Sequence, residues 1–261
     1  MTGASRGIGR AIALELAARG GRVGLLGRLE QDLEAVAGEV RERGATADVL
    51  VANVADARQV ENAVDQFVAD AGRLDLLVAN AGVAWYGPFR DMPLLEGHRM
   101  TRVNWLGTLN TVHAGLRLML DRAQGHLLVV SSSAGYRAFP WAAVYGATKF
   151  AQRGFLEALR HELSGTGVGV TGVYPGQVAT HLHDDDRAAG RMPDWLRPDM
   201  AISPERVART RVRAVEKGRP SVYVPRSVHL MAVLHGISPA LADRMLRRVL
   251  GGTAAPWRKG N

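Results

Sequence analysis

The sequence contains no cysteine among its 261 residues. This absence excludes disulfide bonds, thiolate catalysis and cysteine zinc sites, and it agrees with a reducing compartment. The sequence also has no uninterrupted apolar run of eighteen residues, and its first residues lack the charged-then-apolar pattern of an export signal. These absences favour a cytoplasmic protein. Since 47% of the residues are hydrophobic, the chain can fill a sizeable globular core.

Acidic residues are scarce in the last part of the chain. Residues 187–261 hold 15 lysines and arginines against 5 acidic residues, whereas residues 1–186 hold 18 against 20. A basic end of this kind is most often a solvated surface, but it can also bind nucleic acid, anionic lipid or an acidic partner. We expect no nucleic-acid binding, because no recognition-helix or stacking-aromatic pattern is present. Weak, salt-sensitive contact with an anionic membrane stays open, through Arg244, Arg247, Arg248, Arg258 and Lys259.

Short apolar runs alternate along the chain with longer segments of helical period. The candidate strands are residues 22–26, 47–51, 74–79, 126–130, 168–174 and 221–225. Near-continuous apolar strands separated by helices are typical of a mostly parallel sheet that is covered on both faces. The sequence therefore predicts one doubly wound, Rossmann-like α/β domain over residues 1–225.

Two segments depart from this alternation. Residues 181–202 form a long polar connection that we interpret as a lid. Residues 226–261 are predicted to be a basic helical extension of the same domain, in which Ser238 and Pro239 have the pattern of a helix cap and first helical position. An apolar stripe follows them, made of Leu241, Met245, Leu246 and Val249.

The chain opens with a glycine-rich turn, Thr2-Gly3-Ala4-Ser5-Arg6-Gly7-Ile8-Gly9, which precedes an apolar helical pattern. Glycines at this spacing let the backbone approach a pyrophosphate closely, and the N-terminus of the following helix directs its partial positive charge at the anion. Because ordinary turns can also be rich in glycine, the motif indicates a nucleotide site only in combination with others.

Tyr145 and Lys149 lie four residues apart in a helical pattern, on one face and a turn apart. A phenol with a pKa of about 10 is a poor acid–base catalyst at neutral pH, and lowering that pKa by about three units requires about 4 kcal/mol. One ammonium about 4 Å away supplies roughly that much at an effective dielectric constant of about 20. The pair predicts a catalytic tyrosine, although the same spacing also occurs as an exposed pair on many helices.

Six segments, taken in order, resemble the motifs of the short-chain dehydrogenase/reductase family. Residues 145–149 are similar to its Y-x-x-x-K signature, and the opening turn is similar to its T-G-x-x-x-G-x-G loop. The other four are Asn80-Ala81-Gly82, Asn104, Ser132 at thirteen positions before Tyr145, and Pro175-Gly176-Gln177-Val178-Ala179-Thr180. The resemblance implies a Rossmann-like oxidoreductase that uses a nicotinamide cofactor to interconvert a carbonyl and an alcohol.

The resemblance implies catalytic roles for four residues. Tyr145 would exchange a proton with the substrate oxygen, and Lys149 would lower the pKa of Tyr145 and hold the nicotinamide ribose. Ser132 would hydrogen-bond the carbonyl oxygen, and Asn104 would hold a water that links Lys149 to solvent. We choose Ser132 by its spacing from Tyr145, with Ser133 as the alternative.

The resemblance also implies a cofactor site. Its expected residues are Gly3, Ser5, Arg6, Gly7, Ile8, Gly9, Arg28, Asn53, Val54, Asn80, Ala81, Gly82, Tyr145, Lys149, Pro175, Gly176, Val178 and Thr180. NAD sites usually carry an acidic residue at the end of the second strand, where this chain has Gly27 and then Arg28. Glu30 lies past the strand end, where acidic residues commonly begin helices. Arg6 and Arg28 could clamp a 2′-phosphate, which favours NADP(H).

In the fold that the resemblance implies, a strand in the middle of the sheet precedes the glycine turn. No residues remain for that strand here, and unpaired buried backbone groups cost on the order of 1 to 3 kcal/mol each. We therefore expect that about five to eight strand residues precede Met1.

The catalytic pattern says little about the substrate. Aromatic residues near the motifs favour an apolar pocket, and so a hydrophobic ketone, aldehyde or alcohol. These residues are Trp85, Tyr86, Phe89, Trp141 and Trp195. His181 and His183 stand beside three aspartates, which we interpret as a flexible acidic loop and not as a metal site.

Two further expectations concern assembly and activity. The resemblance implies a homodimer or homotetramer through the helices that bear Asn104 and Tyr145. A non-catalytic NADP-binding sensor or scaffold is the alternative to an enzyme, but such proteins usually lose Tyr145 or Lys149, and both are present here.

Overall fold

The computed structural model describes residues 1–193, 196, 199 and 201–250, with residues 246, 247, 249 and 250 described by their backbone only. Within this part of the chain there are six strands, namely β1 (Val23–Gly27), β2 (Ala47–Val51), β3 (Leu76–Ala79), β4 (Gly125–Val130), β5 (Val168–Pro175) and β6 (Ser221–Val224). The α-helices of the same part are α1 (Gly7–Ala17), α2 (Glu30–Arg41), α3 (Ala57–Ala71), α4 (Leu94–Met100), α5 (Gly107–Asp121), α6 (Ala143–Glu162), α7 (Asp184–Ala188), α8 (Pro204–Glu216), α9 (Ser227–Ile237) and α10 (Pro239–Leu250).

All pairings between these strands are parallel. Strand β1 pairs with β2, and the other strands follow the order β3-β4-β5-β6. Neighbouring parallel strands need a crossover connection, which the helices between them supply. The doubly wound, Rossmann-like α/β fold predicted from the sequence is therefore confirmed, with each strand close to its predicted position.

Met1 and Thr2 lie between β1 and β3. The amino group of Met1 donates to the Gly24 carbonyl at 2.7 Å, and the Leu26 N–H donates to the Met1 carbonyl at 2.8 Å. On the other side, the Thr2 N–H donates to the Val78 carbonyl at 2.9 Å. The glycine turn consequently leaves the sheet between β1 and β3, in the central position that the family resemblance implies.

Both faces of the sheet are buried. Leu127 and Leu128 are neighbours in β4, and consecutive strand residues point to opposite faces. Leu127 packs in a cluster with Val112 and Leu156 from α5 and α6, whereas Leu128 packs in another with Ile12 and Val207 from α1 and α8. The need to fill both clusters explains why the strands read as near-continuous apolar runs.

The two segments that depart from the strand–helix alternation contain helices in the part of the chain that the structure describes. Helix α10 begins at Pro239, and the Leu241 N–H donates to Ser238 Oγ at 3.3 Å, which confirms the predicted cap.

The lid contains a short 3₁₀ turn at His181–His183 and then α7. Thr180 Oγ1 accepts from the Leu182 N–H at 3.4 Å and begins this turn, a local hydrogen bond that apolar periodicity does not reveal.

Helix α8 carries a buried cation. Arg211 is 0% exposed, and none of its three guanidinium nitrogens has a hydrogen-bond partner among the described residues. Burial lowers the pKa of Arg211 to about 9, so the side chain is still charged at neutral pH. Burying an uncompensated charge costs several kcal/mol, and α8 therefore contains a strong local source of instability.

Replacing this cation with an apolar side chain of similar length is expected to stabilise the fold. We predict that Arg211→Met raises the free energy of unfolding by at least about 1 kcal/mol, because it removes the desolvation cost and keeps the packing. The melting temperature by calorimetry or circular dichroism measures this effect. Arg213→Met, at an exposed position of the same helix, is the matched control and should change the stability by less than about 0.5 kcal/mol. A lower melting temperature for Arg211→Met than for the control would contradict the prediction.

Candidate active site

A cavity of about 410 Å³ opens where the parallel strands reach their carboxyl ends. Of the residues predicted to bind cofactor, all except Gly9 line this cavity. Three of the four predicted catalytic residues, Ser132, Tyr145 and Lys149, line it as well. Asn104 is fully buried behind the wall. The fold therefore brings motifs that are far apart in the sequence to one site.

The glycine turn has the close backbone packing that its sequence predicts. Gly3 and Gly7 have positive φ angles of 62° and 56°, a region that side chains disfavour. A Cβ on Gly3 would lie 2.8 Å from the Ala81 Cα, and one on Gly9 would overlap the Gly3 carbonyl oxygen. Gly9 does not line the cavity and serves the internal packing of the turn, so its place in a cofactor site stays a prediction.

Helix α1 presents its N-terminus to the cavity. Gly7 and Ile8, its first residues, line the wall, and the preceding Arg6 makes no side-chain cap. The first N–H groups of a helix have no partner within the helix and carry a partial positive charge. This arrangement is suited to binding a phosphate group.

Thr2 and Asn80 fasten the glycine turn to the end of β3. Thr2 Oγ1 accepts from the N–H groups of Asn80 and Ala81 at 3.0 and 3.2 Å. Asn80 Nδ2 donates in return to the carbonyls of Thr2 and Gly3 at 3.2 and 3.1 Å. Asn80, predicted from the sequence to bind cofactor, thus also holds the turn, and Thr2 is a supporting residue that the sequence reasoning missed.

Tyr145 and Lys149 lie on the face of α6 that meets the end of β4. Lys149 Nζ is 5.6 Å from the centroid of the Tyr145 ring and donates to the Val130 carbonyl at 3.3 Å. Burial raises the pKa of Tyr145, while interaction with the Ser132 side chain opposes this increase. Burial and then the charge of Arg211 lower the pKa of Lys149 to about 7.

This geometry differs from the expectation that Lys149 lowers the pKa of Tyr145. Both groups are buried, so the charged form of each loses hydration, which raises the pKa of Tyr145 and lowers that of Lys149. Near neutral pH, Tyr145 is therefore a protonated phenol and Lys149 is only partly charged. A protonated phenol at this position can act as a proton donor.

The structure distinguishes among the three consecutive serines. Ser131 Oγ donates to the Lys149 carbonyl at 3.1 Å and is buried between α6 and β4. Ser132 Oγ accepts from the Ala134 N–H at 3.1 Å, and Ser132 is the serine whose side chain interacts with Tyr145. Ser133 begins a 3₁₀ turn. These positions favour Ser132 over Ser133 as the residue that meets the substrate oxygen.

Asn104 lies in a π-helical segment, Thr101–Leu106, between α4 and α5. Its Oδ1 accepts from the Val83 N–H at 2.8 Å, and its Nδ2 donates to the Val83 carbonyl at 3.0 Å and to Thr148 Oγ1 at 3.1 Å. These bonds tie the loop after β3 to α6. Single π-helical turns inside longer helices are frequent at functional sites. The water-holding role expected of Asn104 stays a prediction.

Two arginines stand at the end of the cavity beyond the glycine turn. Arg6 and Arg28 are exposed, line the cavity and form no ion pair with any residue that the structure describes. Strand β1 ends at Gly27, and Glu30 is the first residue of α2, outside the cavity wall. Guanidinium groups are therefore the charged side chains available at the end of β1.

Aromatic and aliphatic side chains line the cavity beside Tyr145. The Tyr86 ring centroid lies 6.2 Å from that of Tyr145 and 5.3 Å from that of His183. The wall here is made of Tyr86, Phe139, Leu182, His183 and Leu196. Except for Tyr86, the sequence reasoning missed these residues as pocket residues, because they belong to loops and short turns that have no periodic pattern.

The other predicted pocket aromatics do not line this cavity. Trp85, Phe89 and Trp141 surround a separate small pocket instead, and Phe89 is 64% exposed. Trp141 has a φ of 70°, an unusual backbone conformation that sequence cannot indicate. Trp195 lies outside the described residues. The apolar pocket was predicted from five aromatic residues; Tyr86 lines the cavity together with aliphatic side chains, whereas Trp85, Phe89 and Trp141 do not line it.

A buried carboxylate holds the lid against the loop after β3. Asp186 is 1% exposed, and its Oδ1 accepts from the Tyr86 N–H at 3.2 Å and from Arg191 Nε at 3.0 Å. The Arg191 guanidinium lies 5.5 Å from the centroid of the Trp85 ring. The interpretation of this segment as a flexible acidic loop is therefore wrong for Asp186, because a carboxylate with these partners is a fixed structural group.

The two lid histidines have different surroundings. His181 Nδ1 lies 2.7 Å from Asp184 Oδ2 in an exposed pair. His183 is buried against Tyr86, and burial lowers the pKa of His183. Within the described part of the chain, no group of three or more metal-binding side chains is close enough to hold an ion.

Comparison with known proteins identifies the family. A model of the short chain dehydrogenase family matches residues 1–190. The chain belongs to that family. An uncharacterized oxidoreductase of Myxococcus xanthus is 40% identical over 182 residues, which are 70% of this chain and 72% of that protein. Another relative is the glycine betaine reductase ATRR of Emericella nidulans, which is 36% identical over 219 residues. The match covers 83% of this short-chain dehydrogenase but only 17% of the much longer relative.

Solved structures share the fold of this short-chain dehydrogenase. One from Burkholderia phymatum, described as a short chain dehydrogenase/reductase in complex with NAD, has a TM-score of 0.84 and 25% identity, and the match covers 92% of this chain and 93% of that one. An alcohol dehydrogenase from Thermococcus sibiricus, complexed with 5-hydroxy-NADP, has a TM-score of 0.75 and 29% identity, over 86% and 94%. The fold and the family support a nicotinamide-dependent dehydrogenase or reductase, and they do not distinguish NAD from NADP.

The attachment of the lid through Asp186 can be tested without a known substrate. We predict that Asp186→Asn increases the rate of tryptic cleavage after Arg191 by about tenfold, because the amide cannot replace a charge-assisted bond to the guanidinium. Mass spectrometry of the fragments identifies the cleavage site. Asp185→Asn makes the same charge change at the neighbouring exposed position and is the control. Equal cleavage rates in the two variants would show that Asp186 does not hold the lid.

Proposed function

We propose that the protein is an NADP(H)-dependent oxidoreductase that interconverts a carbonyl and a primary or secondary alcohol on a hydrophobic substrate. The observation that carries this proposal is that one cavity contains the phosphate-binding turn, two unpaired arginines and the Ser132–Tyr145–Lys149 group. Each of these features is common alone, but together they provide the parts that carbonyl reduction needs.

The catalytic residues can supply a proton and stabilise charge at the substrate oxygen. When bound, the nicotinamide supplies the hydride. Tyr145 is a protonated phenol at neutral pH and donates its proton to the carbonyl oxygen, while the Ser132 hydroxyl donates a hydrogen bond to the same oxygen. The Lys149 ammonium then stabilises the phenolate that remains on Tyr145. Because the pKa of Lys149 is about 7, this amine can also give up and recover a proton near neutral pH.

The charges at the end of β1 favour NADP(H) over NAD(H). Arg6 and Arg28 can form charge-assisted hydrogen bonds to a 2′-phosphate, and guanidinium geometry suits bidentate contact with phosphate. In NAD sites an acidic residue near this position accepts a hydrogen bond from the ribose 2′-hydroxyl, whereas here the residue after Gly27 is Arg28. Asn53 lines the same cavity, and its backbone N–H donates a hydrogen bond to Gln59 Oε1 at 2.9 Å.

The apolar wall favours a hydrophobic substrate. Tyr86, Phe139, Leu182 and Leu196 line the cavity beside Tyr145, and such surfaces gain free energy when they exclude water from an apolar ligand. His183 also lines the cavity, and so do the neighbouring polar residues His181, Asp184 and Asp185 of the lid.

We also propose a homodimer or homotetramer through the helices that bear Asn104 and Tyr145. Those helices leave Leu106, Leu120 and Phe150 exposed. Apolar side chains of this size on neighbouring helices are typical of subunit contacts.

Cofactor choice is tested by fluorescence titration with NADPH and NADH. We predict that wild-type protein binds NADPH more tightly and that Arg28→Asp weakens NADPH binding by at least about tenfold, because it replaces a charge-assisted hydrogen bond with repulsion. NADH binding should be unchanged or improved. Arg58→Asp makes the same charge change at an exposed position outside the cavity and should leave both affinities unchanged. Equal losses for the two cofactors would contradict the assignment.

Catalysis is tested by assaying a panel of ketones and aldehydes with NADPH. We predict that Tyr145→Phe lowers the turnover rate by about 10² to 10⁴-fold, the range for loss of a general acid. NADPH affinity should be largely retained. Tyr223→Phe removes a hydroxyl that hydrogen-bonds Tyr136 outside the cavity, and it should keep activity. If the wild type binds NADPH tightly but reduces none of the panel, the sensor or scaffold alternative is favoured.

A further inference from the structure

The C-terminal hairpin, made of α9, Ser238 and α10, carries an exposed apolar face. On α9, Val228 and Ala232 are buried, whereas Leu230 and Ile237 are 70% and 78% exposed. Residues three, four or seven apart share one side of a helix, so Leu230, Val233 and Ile237 form a stripe on the side opposite the buried pair. Helix α9 therefore packs one apolar side against the rest of the protein and exposes a second apolar side to solvent.

Exposed apolar side chains also occur on α10, which packs against α9. Leu241 and Met245 lie one turn apart and are about half exposed, at 45% and 48%, while Ala242 is buried. We name Leu230, Val233, Ile237, Leu241 and Met245 the hairpin face. Large apolar side chains concentrated on two packed helices mark a surface that binds another apolar phase.

Basic residues predominate in the hairpin and in the residues that follow it. Residues 226–261 contain six lysines and arginines and one acidic residue, Asp243. Asp243 forms an ion pair with Arg137, which lies outside the hairpin, so its charge is already compensated. Arg244 and Arg248 are exposed, each three residues after a member of the hairpin face. The surface therefore combines apolar side chains with exposed positive charge.

We propose that the hairpin face docks on an anionic lipid membrane. The five apolar side chains would enter the boundary between headgroups and acyl chains, and Arg244 and Arg248 would bind lipid phosphates. The hairpin would lie on the bilayer, since no helix in the described residues is long and apolar enough to cross one. The sequence analysis considered membrane contact through basic residues alone. The exposed apolar side chains of the hairpin face would contribute a hydrophobic part to that contact.

The charges favour a membrane over a second copy of the chain as the partner. If two hairpin faces met around a two-fold axis, each copy would bring Arg244 and Arg248 to the same contact, and like charges placed together oppose association. An anionic bilayer supplies both the apolar phase and the negative charge.

Sedimentation of the full-length chain with vesicles tests the proposal. The vesicles are pure phosphatidylcholine, which is neutral, and phosphatidylcholine mixed with phosphatidylglycerol, which is anionic. We expect binding to the anionic vesicles that high salt weakens, and much weaker binding to the neutral ones. The assay requires no turnover, so its outcome is independent of the proposed reaction.

Matched variants separate the apolar contribution from the charge. Leu230→Ser with Ile237→Ser should weaken binding to anionic vesicles by at least about tenfold, since each substitution removes a large apolar side chain from the contact with the bilayer. The control is Leu94→Ser with Leu95→Ser, which removes two leucines of α4 that are each 68% exposed. The control should bind like wild type. Arg244→Gln with Arg248→Gln should weaken binding to the anionic vesicles and leave the weak binding to neutral vesicles unchanged.

Three results would overturn the proposal. The first is wild-type protein that does not sediment with anionic vesicles. The second is an equal loss of vesicle binding in the hairpin variant and in the α4 control, which would show that the hairpin face does not contact the membrane. The third is a hairpin variant that binds vesicles normally but has lost self-association in sedimentation velocity, which would assign the face to contacts between copies of the chain.

Discussion

The active site depends on how α6 is attached to the end of β4. Ser131 Oγ donates to the Lys149 carbonyl, and Lys149 Nζ donates to the Val130 carbonyl. In one of these buried hydrogen bonds the strand end is the donor, and in the other the helix is. Together they determine the position of α6 along the direction of the strands. Because Tyr145 lies one turn before Lys149, the same attachment places the phenol beside Ser132. A shift of α6 by a single turn would separate the Tyr145 phenol from Ser132.

Burial determines the electrostatics of this site. Lys149 is held in the cavity wall with its pKa near 7, and the buried Arg211 lowers that pKa further than burial alone would. Both side chains are unfavourable for folding at neutral pH, because a charged group in a water-poor interior loses its hydration. The sheet tolerates them because two large apolar clusters, one on each face, provide stability elsewhere. The charged state of the Lys149 amine is therefore determined by the packing around α6 and α8.

Much of the fold and of the cofactor site could be predicted from sequence, for local reasons. Strands such as Gly125–Val130 are buried on both faces, so they read as apolar runs, and Gly3 and Gly7 adopt backbone angles that require glycine. Asp186 could not be predicted as the residue that holds the lid, since its partners, Tyr86 and Arg191, are identified only once the chain is folded. Phe139 and Leu196 reach the cavity from loops, where no repeating pattern marks which side chains point inward.

The sequence by itself determined the family, the order of strands and helices, and the residue types available for catalysis. Each of these follows from short-range spacing: alternation of strands and helices, glycines in a tight turn, and a tyrosine four residues before a lysine. Only the tertiary structure decided how those residues are charged, which side chains form the substrate wall, and which face of the C-terminal hairpin is left in solvent. Desolvation and exposure depend on what the rest of the chain places around a residue, and that distribution of neighbours is set by long-range packing.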